Sequence, residues 1–334
     1  MRAVSRSLGV VELIHSLLPD QSALLLGLLT QLGDVWFLFG ATVVTYLFRP
    51  RDRERVAVVL GLALSTAALV EALKAVFALP RPTTPLATAE LYPAALRGIF
   101  EATATGGGHG FPSGHATLST VVLLGLAGAV RVGDARWRWL LAGGLVALVS
   151  LTRVALGVHY LVDVVAGVLI GLTVLAGVAW ATEASPLDRP TTAFVIAATV
   201  GVAGVLVTAP TLGLDGSARP PHDSVVALGA ALGALAGWQG LRLRATGTAD
   251  PVAPDGDRLD TERWPPLRAL LAVGPMLALL ALVITGLVVG DEAAATAGLA
   301  GIGFGFAVAL PVLVPEFDRL VAGYVPQWFR GETA

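Results

Sequence analysis

The sequence predicts an all-α fold: a polytopic transmembrane helical bundle of about nine spans. Three observations predict it. Of 334 residues 55% are hydrophobic and only 14% charged, with a mean hydropathy of +0.77, too apolar for an ordinary soluble domain. The apolar residues fall into runs close to the ~20 residues that a helix needs to cross a bilayer. The arginines, finally, gather in alternate loops, as they do on the cytoplasmic side of a membrane protein.

Taken in order, residues 8–18 read as a short amphipathic helix lying at the interface. Glu12, His15 and Pro19 interrupt its apolar character, so it reads poorly as a cleaved signal. Spans are expected at 22–48, 56–79, 114–131, 137–157, 159–182, 191–213, 222–243, 267–289 and 293–315. Gly33-Asp34 lies inside the first run, which is therefore expected to be broken or tilted. Residues 244–266 are polar and rich in Pro, Asp and Gly, and read as a linker. The chain divides into a front half, 1–185, and a back half, 186–334, a further helical membrane region of about four spans with no internal repeat.

Arginine placement orients the bundle. Arg49, Arg51, Arg53 and Arg55 follow the first run, and Arg131, Arg136 and Arg138 follow the third. Arg242, Arg244, Arg258, Arg263 and Arg268 follow the seventh. A nine-span chain puts all of these on one side, the cytoplasmic one. The 80–113 loop then lies outside, with Arg81, Arg97, Arg219 and the N-terminal Arg2 and Arg6.

Other partners and chemistries are excluded by composition. A chain without cysteine carries no disulfide and no thiol chemistry. A net charge of −2 offers nothing to nucleic acid. No His and carboxylate set has metal-ligand spacing, and no cofactor is expected.

Three polar clusters interrupt the front half: KAVFALPRP from Lys74 to Pro82, PSGH from Pro112 to His115, and TRVALGVHYLVD from Thr152 to Asp163. Of 22 basic residues Lys74 is the sole lysine. Pro112 ends what precedes it, and Ser113 is a good N-cap for the helix that follows. Free N–H groups at Gly114 and His115 then favour an anion. His159 and Asp163 stand at i, i+4, on one helix face, where a carboxylate can hold one imidazole nitrogen and leave the other as nucleophile or base. Lys74, Arg81 and Arg153 add three cations. By topology all of these reach the outer face, and together they suit a phosphoryl group, whose transfer needs positioning and charge stabilisation. His115 faces the same space and can donate a proton to a leaving alkoxide.

Each residue also has a structural reading. Lys74 can pair with Glu71 at i, i+3; His159–Asp163 can be a structural pair; Arg153 can snorkel to the interface. His109, in GGGHG, reads as a loop histidine, and Gly106 to Gly108 as a source of loop freedom. Asp215, Asp223, Asp291 and Glu292 read as solvated loop charges. Convergence of the others on one face argues for function, since ionisable groups in spans are costly.

These clusters resemble the signature of the type 2 phosphatidic acid phosphatase (PAP2) superfamily, K-x6-R-P, P-S-G-H and S-R-x5-H-x3-D. Here they read Lys74-x6-Arg81-Pro82, Pro112-Ser113-Gly114-His115 and Thr152-Arg153-x5-His159-x3-Asp163, with Thr152 where the family usually has Ser. The resemblance covers about residues 20–185 and does not reach the back half. It implies that His159 attacks phosphorus to form a phosphohistidine, that Asp163 orients it, and that His115 protonates the leaving group and then helps activate water. It implies that Lys74, Arg81, Ser113, Gly114 and Arg153 hold the phosphate oxygens, without a metal. A site between helices at the outer face suits a lipid phosphate or isoprenoid pyrophosphate, with the bilayer as the other partner and a homodimer open. A lipid phosphotransferase using the same site is the near alternative. A transporter that binds the headgroup without cleaving it is the alternative from another class. Soluble sugar phosphates stay open as substrates, while the soluble haloperoxidases that share the site's design do not fit the apolar runs.

Overall fold

The computed structural model describes residues 6–208, 222–247 and 292–313. Among the described residues there are eleven α-helices and no strand. They are α1 Val10–Leu17, α2 Ala23–Thr30, α3 Val35–Phe48, α4 Arg53–Phe77, α5 Ala94–Ala104 and α6 Gly114–Ala129. Then follow α7 Ala135–Ala155, α8 Leu161–Ala184, α9 Arg189–Thr208, α10 His222–Gly247 and α11 Glu292–Leu313. The chain is a helical membrane protein. Among the described residues five helices are long and apolar enough to cross a bilayer, α4, α7, α8, α9 and α10. The α1–α2 pair, bent by 101°, would make a sixth if it is one broken span, while α3, α6 and Thr296–Pro311 are shorter apolar helices. The span expected at 267–289 and the linker at 244–266 lie outside the described residues, apart from the end of α10.

The first apolar run is broken at the expected place. A 3-10 turn, Gln31–Gly33, separates α2 from α3, and Asp34 turns extended and caps α3 through its carboxylate. Gly33 is pressed against α6, where a Cβ would stand 2.7 Å from Ser119 Oγ. α4 ends where Ala78 adopts a left-handed conformation (φ 46°), two residues before Pro80. The helix α5 was not expected. It packs Phe100 and Ala104 with Tyr92, Leu86 and Leu156 in a small cluster of its own over the loop side.

Two glycines set the distance between α6 and α8. A Cβ on Gly167 would stand 2.8 Å from the Ser113 carbonyl, and one on Gly171 would stand 2.8 Å from Thr120 Cβ. At the far end of the same bundle Arg55 donates to the Ala129 carbonyl (3.4 Å) and Arg138 to that of Ala127 (3.2 Å). The arginine-rich loops after α3 and α6 therefore meet at the end opposite the PSGH corner.

The helices beyond residue 186 share the front half's core. One cluster of buried side chains joins Leu38, Tyr46, Val56 and Leu60 to Phe194, Ala197, Ala231 and Val308. The Tyr46 hydroxyl donates to the Val308 carbonyl at 2.8 Å. Gly229, Gly233 and Gly237 on α10 face Ala297, Gly301 and Gly305 on α11 so closely that added Cβ atoms would overlap backbone, the small-residue packing that membrane helices use.

Candidate active site

The three polar clusters converge at one end of the bundle. Lys74 lies in the last turn of α4, Ser113 to His115 open α6, Arg153 lies in the last turn of α7, and His159 and Asp163 flank the start of α8. Backbone hydrogen bonds tie them together. The Ser113 N–H donates to the Asp163 carbonyl (3.0 Å), and the N–H groups of Val158 and His159 donate to that of Arg153 (3.2 and 3.3 Å). Gly157 makes the turn between α7 and α8 possible. Its φ of +70° suits glycine, and a Cβ would stand 2.5 Å from the Thr84 carbonyl.

His159 departs from the expected geometry. It was expected on a helix face, but α8 begins only at Leu161, because Tyr160 is extended and its N–H donates to the Asp163 carboxylate. His159 thus precedes the helix and is 2% exposed. Its Nδ1 lies 2.7 Å from the Gly110 carbonyl, whereas the nearest oxygen of Asp163 is 3.7 Å away. A carbonyl only accepts, so Nδ1 carries the proton, and the lone pair is on Nε2. Arg81 Nη1 donates to that nitrogen at 2.9 Å. Burial pushes the His159 imidazole down to about 4, chiefly by desolvation, with the nearby Asp163 carboxylate opposing.

Arg81 is held by backbone. Its Nε donates to the Gly107 carbonyl (2.9 Å) and its Nη1 to that of Val158 (2.9 Å). Cβ atoms on Gly106 or Gly110 would stand 2.9 Å from Arg81 Nη1 or 3.1 Å from its Cγ. The loop glycines therefore let the backbone wrap the guanidinium, a tighter role than the loop freedom expected of them. Burial lowers the Arg81 guanidinium below its ordinary value, against the fields of Asp163 and Glu71.

Lys74 Nζ pairs with Glu71 at 2.7 Å and also lies 3.7 Å from where a Cβ of Gly114 would be. Lys74 thus makes the structural pair with Glu71 while lying beside the start of α6. Ser113 occupies the N-cap position but makes no side-chain cap bond, which corrects the capping role expected of it. Its hydroxyl is buried without a partner, as are His115 Nε2 and Arg153 Nε. Thr152 turns its hydroxyl onto the Val149 carbonyl of its own helix (2.7 Å). His109 is exposed in the loop. His115 lies within electrostatic reach of Arg153, His159, Lys74 and Arg81.

Sequence reasoning missed two groups. The Gly110 carbonyl has no side chain to announce it. Arg6 was read only as an outer-side charge, yet its guanidinium pairs with Asp163 Oδ1, donates to the Pro80 carbonyl and lies 5.1 Å over the Tyr160 ring. The helix behind it, α1, is anchored by a hydrogen bond between His15 Nε2 and the Ala155 carbonyl (3.0 Å). A cavity of about 470 Å³ opens alongside, with Glu90, Phe100, Glu101 and Gly157 in its wall, and of the candidate catalytic and phosphate-binding side chains Arg81 alone lines it. The two acidic side chains suit a phosphate poorly, whereas the histidine cluster brings cations and neutral donors together. Among the described residues no group of three His, Asp or Glu is placed to hold a metal ion.

Residues 38–186 match the family model described as the PAP2 superfamily. No curated protein and no solved structure matches the chain.

Proposed function

From the membership of residues 38–186 in the PAP2 superfamily, whose members are generally phosphatases acting on phosphate esters, we propose that the protein hydrolyses a lipid or isoprenoid phosphate or diphosphate through a phosphohistidine, without a metal, at the extracytoplasmic face. The observation that carries this reading is the state of His159. A neutral imidazole with its proton held on Nδ1 by Gly110 presents the Nε2 lone pair to Arg81, a cation that a phosphate oxygen can draw off.

In the proposed reaction Nε2 of His159 attacks phosphorus as the P–O bond to the alcohol breaks, and the proton for the departing oxygen comes from His115. Water then attacks the phosphohistidine, giving its proton to His115 and releasing inorganic phosphate. Lys74, Arg81 and Arg153 balance the charge of the transferring group, and the Ser113 hydroxyl with the N–H groups of Gly114 and His115 adds neutral donors. The unpartnered buried atoms of Ser113 and Arg153 support a shared ligand. A lipid-borne substrate follows from a site at the helix ends of an apolar bundle. The exposed Leu8, Leu13 and Leu17 around α1 give an apolar face that the bilayer interface would cover. The arginines of the opposite loops favour the cytoplasm for that end.

The deciding assay is phosphate release from phosphatidate, phosphatidylglycerophosphate, a polyprenyl pyrophosphate and glucose-6-phosphate, with and without chelator. His159→Ala is expected to abolish release in a folded protein. Near-normal turnover by that variant, or strict dependence on added metal, would overturn the proposal. Translocation of an uncleaved headgroup by His159→Ala would favour a transporter instead.

A further inference from the structure

Asp34 has no place in the family motifs, yet the break in the first apolar run brings it to them. Its Oδ2 lies 3.6 Å from His115 Nε2, a buried nitrogen with no hydrogen-bond partner. Its Oδ1 faces the Trp36 N–H at 3.4 Å as the cap of α3. Around His115 stand the cations Arg153, Lys74 and Arg81 and the neutral imidazole of His159. The field of Asp34 also reaches Arg153. Gly33 holds this turn against α6 and α7, because any side chain there would strike Ser119 and Val149. A carboxylate inside an apolar run is costly and calls for a partner.

We propose that Asp34 is a positioning residue for His115: its carboxylate faces the imidazole that carries the leaving-group proton, so that the imidazolium meets an anion beside it and is held in register for the transfer. This rests on the phosphatase reading above. Capping alone would also explain an aspartate at this position, so the test must separate the two. Asparagine and serine cap a helix about as well as aspartate but carry no charge.

The experiment compares kcat/KM for two substrates with the same chain, a long-chain alkyl phosphate and a nitrophenyl phosphate bearing that chain. The nitrophenolate leaves without a proton donor, whereas the alkoxide needs one. Asp34→Asn and Asp34→Ser are each expected to lower kcat/KM for the alkyl phosphate by about tenfold or more, part of the 10²–10⁴ that a proton donor supplies. For the nitrophenyl phosphate the change is expected to stay within about threefold, and His115→Ala should show the same split more strongly. Equal losses on both substrates, or no loss on either, would overturn the assignment. A wild-type protein that releases no phosphate from either substrate, or a His159→Ala variant that still does, would instead overturn the phosphatase reading and this one with it.

Discussion

The Gly110 carbonyl, and not the Asp163 carboxylate, makes the short contact to His159: 2.7 Å to Nδ1 against 3.7 Å. Asp163 spends its oxygens on the Tyr160 N–H (2.9 Å) and on Arg6. The imidazole tautomer is therefore fixed by backbone, and the carboxylate organises the start of α8 around it.

Asp163→Asn should accordingly leave the tautomer intact. We expect residual phosphate release well above that of His159→Ala, with a clear loss of thermal stability, since the amide cannot replace both the cap and the ion pair. If Asp163→Asn proves as inactive as His159→Ala while remaining as stable as wild type, the carboxylate holds His159 more directly than the distances imply.

Arg6 gives a second prediction. Asp163 is fully buried and Arg6 14% exposed, and removing one partner of a buried pair costs about 3 kcal/mol. Arg6→Ala should lower the thermal midpoint, and adding Asp163→Asn should then cost less than it does alone, because the two side chains share one interaction. Additive losses in a double-mutant cycle would contradict the pairing.

The third concerns pH. Burial lowers the His159 imidazole from an ordinary 6.5 to about 4. Between those values the unfolded chain binds more protons than the folded one, so stability rises with pH through this window and falls as pH drops from about 6.5 toward 4. Thermal midpoints of wild type and His159→Gln in detergent, measured across that range, should differ in slope, with the variant flatter. Parallel curves would mean that His159 titrates as it does in solvent.

Close packing of α6 on α8 supplies the fourth. A methyl group at Gly167 would press on the Ser113 carbonyl at 2.8 Å, while one at Gly177 would meet nothing within 4 Å. Gly167→Ala should reduce phosphate release and cost about 1–3 kcal/mol of stability. Gly177→Ala should change neither. A silent Gly167→Ala would show that the two helices can part without moving the histidines.

Much of this architecture can be read from composition and spacing, and the exceptions have physical causes. Long apolar runs announce α4, α7, α8 and α9 within a few residues, and the Gly33-Asp34 pair announces the break between α2 and α3. The cationic and histidine positions converge because each motif lies at a helix end. The start of α8 was misplaced by two residues, since an i, i+4 His–Asp pair looks helical whether or not the chain is extended between them. Helix α5 leaves no span-like pattern, because its eleven residues sit in a segment too short and too mixed to resemble one. Groups recruited from afar, the Gly110 carbonyl and the Arg6 side chain, leave no local pattern at all.

The shared cluster that links Leu38, Tyr46 and Val56 to Phe194, Ala231 and Val308 makes the two halves of the chain interdependent. A protein cut after residue 186 would strip one flank of α3 and α4 of its neighbours. Whatever the distal helices do besides, they brace the scaffold from which Lys74 is presented, and damage far from the histidines can be felt there as lost turnover.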